Sequence, residues 1–304
     1  MFTPTTSILR KAQQGGYAVG HFNINNMEMV QAIVQAAVKL KSPVILATSE
    51  GAIQYAGMEY LYALAKTAAE NSKIPIALHL DHGRDMDIIE KAIQRGYSSV
   101  MIDASHEDFE KNIALTRKVV QMAHRKGISV EAELGTIGGV EDTVKSRHIL
   151  YTDPSKAQEF VQRTGCDFLA IAIGTSHGAF KFTGKAQLRM DILKEVRKRV
   201  KIPLVLHGAS CVPLSAVKEA EKYGANLQGV EGVPDAQIKE VIKKGICKIN
   251  TDTDLRIAFD AGIRKNIVNT PQDFDPRHIL TPAREYMQKV VEHRIKLFGS
   301  INKG

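Results

Sequence analysis

Short apolar runs alternate with longer amphipathic stretches over most of the chain. The runs Tyr17–Phe22, Val44–Thr48, Ile76–Leu80, Ser99–Asp103, Ser129–Leu134, Phe168–Ile173, Leu204–His207 and Ile246–Asn250 have the length and composition of strands. Pro43, Pro75 and Pro203 stand where strands begin, a place that tolerates a missing N–H. Gly96, Gly127, Gly165 and Gly245 sit just before strands, where a helix C-cap glycine belongs. Helical spacing of apolar positions marks Met27–Leu40, Asp85–Gln94, Phe109–His124 and Ser215–Lys222. Eight such βα units predict an α/β protein closed into a (β/α)8 barrel, the TIM-barrel architecture, rather than an open doubly wound sheet. Neither a G-x-G-x-x-G after the first strand nor a GxxxxGK[ST] loop is present.

No linker or low-complexity segment interrupts the pattern, so residues 1–304 are expected to form one barrel domain. Its tail, about 273–304, reads as helix that caps the barrel bottom or packs on another subunit. Two connections are long, Gly135–Lys156 and Ala209–Lys244, as lids and binding loops are. With 304 residues, 44% of them hydrophobic, the chain can bury a core without a disulfide or structural metal. Cys166, Cys211 and Cys247 are odd in number and scattered, which reads as reduced thiols in the cytoplasm. The N-terminal segment lacks a basic patch followed by an apolar run, and no stretch approaches the ~18–20 apolar residues of a membrane span. A formal net charge of +8 suits an anionic metabolite or a polyanion. The basic residues are dispersed over helical faces such as Lys194–Arg199, so neither a nucleic-acid nor a membrane partner is expected.

In a barrel of this kind, catalytic groups sit at the C-terminal ends of the strands. Asp81-His82, Asp103, Glu133, His177, His207 and Asn250 fall at six consecutive strand ends. A lone histidine there is better explained by packing than by ligation, but three on one rim among carboxylates reverse that balance. His82, His177 and His207 offer three imidazoles to one zinc and leave a fourth position open for substrate. Asp103 and Glu133 suit either a second metal position or the orientation of those histidines. Alternation puts Glu131 and Glu133 on one face of their strand, and Lys248 and Asn250 on one face of theirs. Buried unpaired charges are costly, so Lys248 is expected to pair with Glu131 beneath the metal. His79 is expected to be a hydrogen-bonded interior residue, and His82 shares its face with Asp81 only if a turn at Gly83 redirects it. His207-Gly-Ala-Ser210 and Asn250-Thr-Asp-Thr253 suit either a phosphate pocket or ordinary helix capping.

The segments Leu78–Gly83, Val100–His106, Val130–Gly135, Gly174–Gly178, Leu206–Ser210 and Lys248–Thr253 resemble the motif set of class II, metal-dependent fructose-bisphosphate aldolases. That resemblance runs from Gly20–Asn23 to Leu297–Ser300. It implies reversible cleavage of fructose 1,6-bisphosphate to dihydroxyacetone phosphate and glyceraldehyde 3-phosphate, in glycolysis and gluconeogenesis. By motif, His82, His177 and His207 would hold zinc, Asp81 would exchange the C4 hydroxyl proton, and Asp103 with Glu133 would form the alternative metal position. Glu141 would assist proton transfer on the ketone side, with Asn250 near the enediolate. Gly178, Gly208, Ser210, Asp252 and Thr253 would cradle a phosphate, while Ser49 and Arg256 would touch the rest of the sugar bisphosphate. Arg277 matches an arginine usually donated by a neighbouring subunit, which implies a homodimer or homotetramer. A monovalent cation and the choice between fructose and tagatose bisphosphate stay open. Two departures stand out: Arg84-Asp85-Met86 replaces a small Ser/Thr-rich turn, and Ala209 stands where many members carry glycine.

The residue types suit an aldol reaction. A Lewis acid on the ketone oxygen stabilises an enediolate without a proton, and a carboxylate removes the hydroxyl proton. The rival chemistries are a Schiff base on Lys248, a zinc hydrolase and a binding protein with a vestigial site.

Overall fold

The computed structural model describes residues 1–141, 144–146, 150–178, 187–227 and 229–304, with backbone alone for 139–141, 144–146 and 177. Eight strands form the barrel: β1 (Val19–Asn23), β2 (Val44–Ser49), β3 (Ile76–Gly83), β4 (Ser99–Ile102), β5 (Ser129–Leu134), β6 (Phe168–Ile171), β7 (Leu204–Leu206) and β8 (Ile246–Thr251). All are parallel, each pairs with its neighbours in sequence, and β8 closes on β1. The expected (β/α)8 barrel is therefore the fold. Helices Met27–Leu40 and Phe109–His124 begin at side-chain caps. Asn26 Oδ1 accepts the Met29 N–H at 3.0 Å, and Asp108 Oδ1 accepts the Lys111 N–H at 2.9 Å. Within the long connections lie a hairpin, Gly138–Glu141 with Val144–Ser146, and two helices, Leu214–Lys222 and Asp235–Lys243.

Side-chain alternation divides each strand between two environments. On β5, Val130, Ala132 and Leu134 join the apolar layer beneath the helices, while Glu131 and Glu133 turn inward. The barrel interior is itself layered. Val19, Ile45, Ala77, Phe168, Ala170 and Val205 pack with Ile8, Leu9 and Ala12 of helix Thr5–Gly15, which plugs the bottom. Above that plug the interior is polar: His21, His79, Glu131 and Lys248 are all fully buried.

The tail is helical, as expected, and within one chain it lies along the barrel flank. Helix Pro276–Phe298 packs on helices Met27–Leu40 and Thr253–Asn269. Buried Arg294 fixes it there, donating from Nε to Asp254 Oδ2 at 2.8 Å. The other oxygen of Asp254 accepts the Val212 N–H at 2.8 Å, so the tail also anchors the loop after β7. Val212 has φ +53°, a strained value for a β-branched residue, and that bond helps to hold it. Among the described residues no helix is long and apolar enough to cross a membrane.

Because Leu9 fills the barrel bottom at 0% exposure, Leu9→Ala should cost about 2–5 kcal/mol. The measurement is the urea midpoint at unchanged slope.

Candidate active site

Lys248 Nζ lies at the centre of the polar layers. It is 2.8 Å from Glu131 Oε2 and donates to Asn250 Oδ1 at 2.8 Å. The pairing expected from strand alternation is thus present, and it branches into two arms. Through Glu131 it reaches His207, whose Nε2 is 2.6 Å from Glu131 Oε1 while Nδ1 lies 3.1 Å from Glu133 Oε2. Through Asn250 it reaches Asp81, whose Oδ1 accepts from Asn250 Nδ2 at 3.1 Å. Asn23 Nδ2 donates to the other Asp81 oxygen at 2.9 Å, and His21 Nε2 is 3.5 Å from it. His79 is interior, as expected: its Nδ1 shares a 2.7 Å hydrogen bond with Ser99 Oγ, and its Nε2 is 3.6 Å from Glu131.

Electrostatics follow from this packing. Burial opposes ionisation of Glu131, but the Lys248 ammonium and the His207 bond outweigh it and hold the carboxyl well below its ordinary value. Burial likewise opposes ionisation of Asp81, yet His21 and His82 keep it charged. His21 moves the other way, down to about 4, because burial and the nearby Lys248 charge disfavour its protonated form. For His82 burial is outweighed by the Asp81 and Asp103 carboxylates, which push the ring up to about 10.

His82 points toward Asp81 and His207 because its own backbone takes φ +46°, with a register shift between Leu80 and Gly83. The redirection expected at Gly83 therefore occurs one residue earlier. Gly83 is needed for another reason: a Cβ there would sit 2.5 Å from the Met101 carbonyl oxygen. His82 Nδ1 lies 3.2 Å from Asp103 Oδ2, and the His82 and His207 ring centroids are 4.6 Å apart. Ligand atoms of Asp81, His82 and His207 all lie within 4.8 Å of one another, as do those of His82, Asp103 and Glu133. These are nitrogen and carboxylate donors in a buried cluster, a set that fits a divalent metal. His177 sits past the end of β6 on a two-residue strand that pairs with Gly138–Gly139. Its side chain lies outside the described residues, as does that of Glu141.

All but one of the remaining expected residues lie at the ends of barrel strands or just after them. Gly208 has φ +60°, and a Cβ on it would fall 2.7 Å from the Ser176 carbonyl oxygen, so it lets the loops after β6 and β7 touch. Gly178 has φ +85°, and Ser210 is buried. Ser49 ends β2 and caps the next helix, its Oγ accepting the Ala52 N–H at 3.1 Å. Thr253 opens helix Thr253–Asn269 just after Asp252, and Arg256 pairs with Asp252 at 2.7 Å. Arg256 also lines a cavity of about 580 Å³ with Asn25, Asn26, Gly51 and Tyr55. Arg277 stands apart on the tail helix, 85% exposed and paired with its neighbour Asp275. Sequence reasoning passed over His21 and Asn23 as site residues. Their alternation with Phe22 on β1 carried the signal, because it puts both on the face that meets Asp81.

The fold and these groups define a barrel enzyme whose mouth gathers imidazoles and carboxylates over a buried ion pair. A family model described as fructose-bisphosphate aldolase class-II matches residues 3–303. The chain is 48% identical to the fructose-bisphosphate aldolase of Thermus caldophilus over 305 residues, spanning 100% of both chains. It is also 48% identical to that of Helicobacter pylori strain 26695 over 306 residues, again spanning 100% of both. The crystal structure of the YdjI aldolase from Escherichia coli K12 superposes with a TM-score of 0.82 at 37% identity, covering 100% of this chain and 99% of that one. The chain belongs to the class-II fructose-bisphosphate aldolase family, a family of lyases whose members are generally metal-dependent.

Lys248→Met would leave the Glu131 carboxylate without its ammonium partner, a loss of about 3–5 kcal/mol for a broken buried pair. The pH dependence has a definite sign. A carboxyl depressed on folding, as Glu131 is from its ordinary 4.5, stabilises the native state above that value and loses the contribution as pH falls. In the variant the same carboxyl keeps His207 but loses the ammonium, so it is depressed less and protonates at a higher pH than in wild type. Denaturant titrations should therefore show the deficit of Lys248→Met narrowing as pH drops below about 4.5.

Proposed function

We propose that the chain is a zinc-dependent aldolase acting on fructose 1,6-bisphosphate in glycolysis and gluconeogenesis. The observation that carries this reading is the convergence of Asp81 and His82 from the end of β3 with His207 from the end of β7 on one buried cluster. His82 and His207 each set one ring nitrogen against a carboxylate, Asp103 and Glu131 respectively. This is the outer support that metal-ligating imidazoles use. On this reading His82, His207 and His177 would hold the zinc. When bound, zinc supplies Lewis acidity at the ketone oxygen.

Asp81, kept ionised by its neighbours, takes the proton of the C4 hydroxyl. The C3–C4 bond then breaks, C4 leaves as an aldehyde and its bonding pair passes to the three-carbon fragment. Asn23 and Asn250 grip both Asp81 oxygens, which aims the carboxylate and limits its motion. Asn250 adds an amide donor near the developing negative charge, and Glu141 delivers the proton that C3 needs. Gly178, Gly208, Ser210, Asp252 and Thr253 form the phosphate cradle, with Ser49 and Arg256 toward the other end of the substrate. Exposed Phe274, Ile267 and Val268 lie close in sequence to Arg277 and suit an interface with a second copy. The three free cysteines suit a reducing cytoplasm.

Metal-analysed protein assayed with fructose and tagatose 1,6-bisphosphates should turn over the fructose isomer faster. EDTA should abolish turnover, and borohydride with substrate should trap no adduct on Lys248. Asp81→Ala should retain its metal and lose ~10²–10⁴-fold in kcat, the usual worth of a general base. Near-normal turnover in that variant refutes the role of Asp81.

A further inference from the structure

Arg84 follows His82 and Gly83 at the end of β3, and the turn it opens is tightly fixed. Glu50 Oε1 accepts both the Arg84 N–H at 2.6 Å and the Asp85 N–H at 2.7 Å. The side chain reaches back to the mouth of the barrel, where Nη2 donates to Asp103 Oδ2 at 2.9 Å and Nε to the same oxygen at 3.2 Å. Asp103 is almost wholly buried, at 1% side-chain exposure. Its two oxygens are otherwise engaged as well. Oδ2 faces His82 Nδ1 at 3.2 Å, and Oδ1 accepts from Ser105 Oγ at 2.7 Å and from the Ser105 N–H at 3.2 Å.

Asp103, His82 and Glu133 form a donor set that would suit a divalent ion of its own, and this set shares His82 with the Asp81, His82 and His207 group. An ion on Asp103 would have either to share Oδ2 with a guanidinium or to displace Ser105 from Oδ1 on the same carboxylate. The guanidinium cannot shed its charge. Beside a buried carboxylate, repulsion between the two cations is only partly screened. The guanidinium also meets the carboxylate with two N–H donors, so Asp103 gains little from exchanging it. We infer that Arg84 is a resident cation that takes the place of a second divalent ion on Asp103, so that the barrel binds one divalent ion per chain. Asp103 is thereby reserved for holding the Nδ1 side of His82. Arg84 acts as a positioning residue through Asp103 and takes no part in bond making.

The inference rests on the reading that His82 and His207 hold a metal, and one experiment separates the two. Metal-free wild type, Arg84→Lys, Arg84→Ser and Arg84→Gln are dialysed to equilibrium against Co²⁺, and bound cobalt per chain is counted by elemental analysis. Circular dichroism checks that each variant is folded, and the two neutral variants substitute for one another should either fail. Wild type and Arg84→Lys should saturate at one ion per chain, and the neutral variants at two. Two ions on wild type, or one on the folded neutral variants, overturns the inference. No bound ion on wild type overturns the metal-site reading itself, a different result from either.

Discussion

One ammonium group, Lys248 Nζ, ties together everything that lies above the barrel floor. It is buried at 0% exposure, where an isolated charge would be several kcal/mol out of balance. Glu131 and Asn250 offset that cost, and each passes the constraint upward, one to His207 and the other to Asp81. The imidazole and the carboxylate that share the mouth are thus positioned from the same atom. A shift of Lys248 by a fraction of an ångström would misalign both, which is why rigid strands rather than loops carry these residues.

The charge balance around this atom explains the character of the mouth. Asp81, Asp103, Glu131 and Glu133 are all buried, against the two fixed cations Lys248 and Arg84. Two negative charges are left over, and the folded chain answers by raising the proton affinity of His82 and His207. Such a donor set could hold a divalent cation in exchange for protons. Asymmetry between the arms then assigns tasks. Asp103 is saturated by Arg84 and Ser105, whereas Asp81 is gripped by two amides beside His21 and His82, which keep it ionised.

Much of this architecture could be read from residue alternation, and the failures have local causes. β5 was legible to the residue because Val130, Ala132 and Leu134 alternate strictly with Glu131 and Glu133. The ion pair of Lys248 followed from the same alternation plus the penalty for an unpaired buried charge. Where backbone departs from regular strand, the pattern loses its meaning. His82 leaves the face its position would give it by adopting a left-handed φ, a conformation that no side-chain periodicity encodes. β6 stops at Ile171 and not at Ile173, and His177 is carried on a separate short strand that pairs with the hairpin. The bottom plug escaped notice because Ile8, Leu9 and Ala12 give only one apolar turn, too little to distinguish from a frayed terminus. Arg84 showed itself only as a departure from a familiar turn; its grip on Asp103 depends on a meeting of β3 and β4 in space.

Asp254 joins the last long helix to the loop after β7, and this bears on when the protein becomes competent as it is made. During synthesis the strands and their helices emerge in order, and a nascent chain that has released β8 already has every barrel staple in hand. Arg294 is still inside the ribosome at that moment, so Asp254 has no counter-charge and Val212 has no firm hold on its unfavourable backbone angle. The barrel can close before the loop that borders Gly208 and Ser210 is set. Setting of the mouth therefore waits on a contact from the tail helix, which acts on the loop through Asp254.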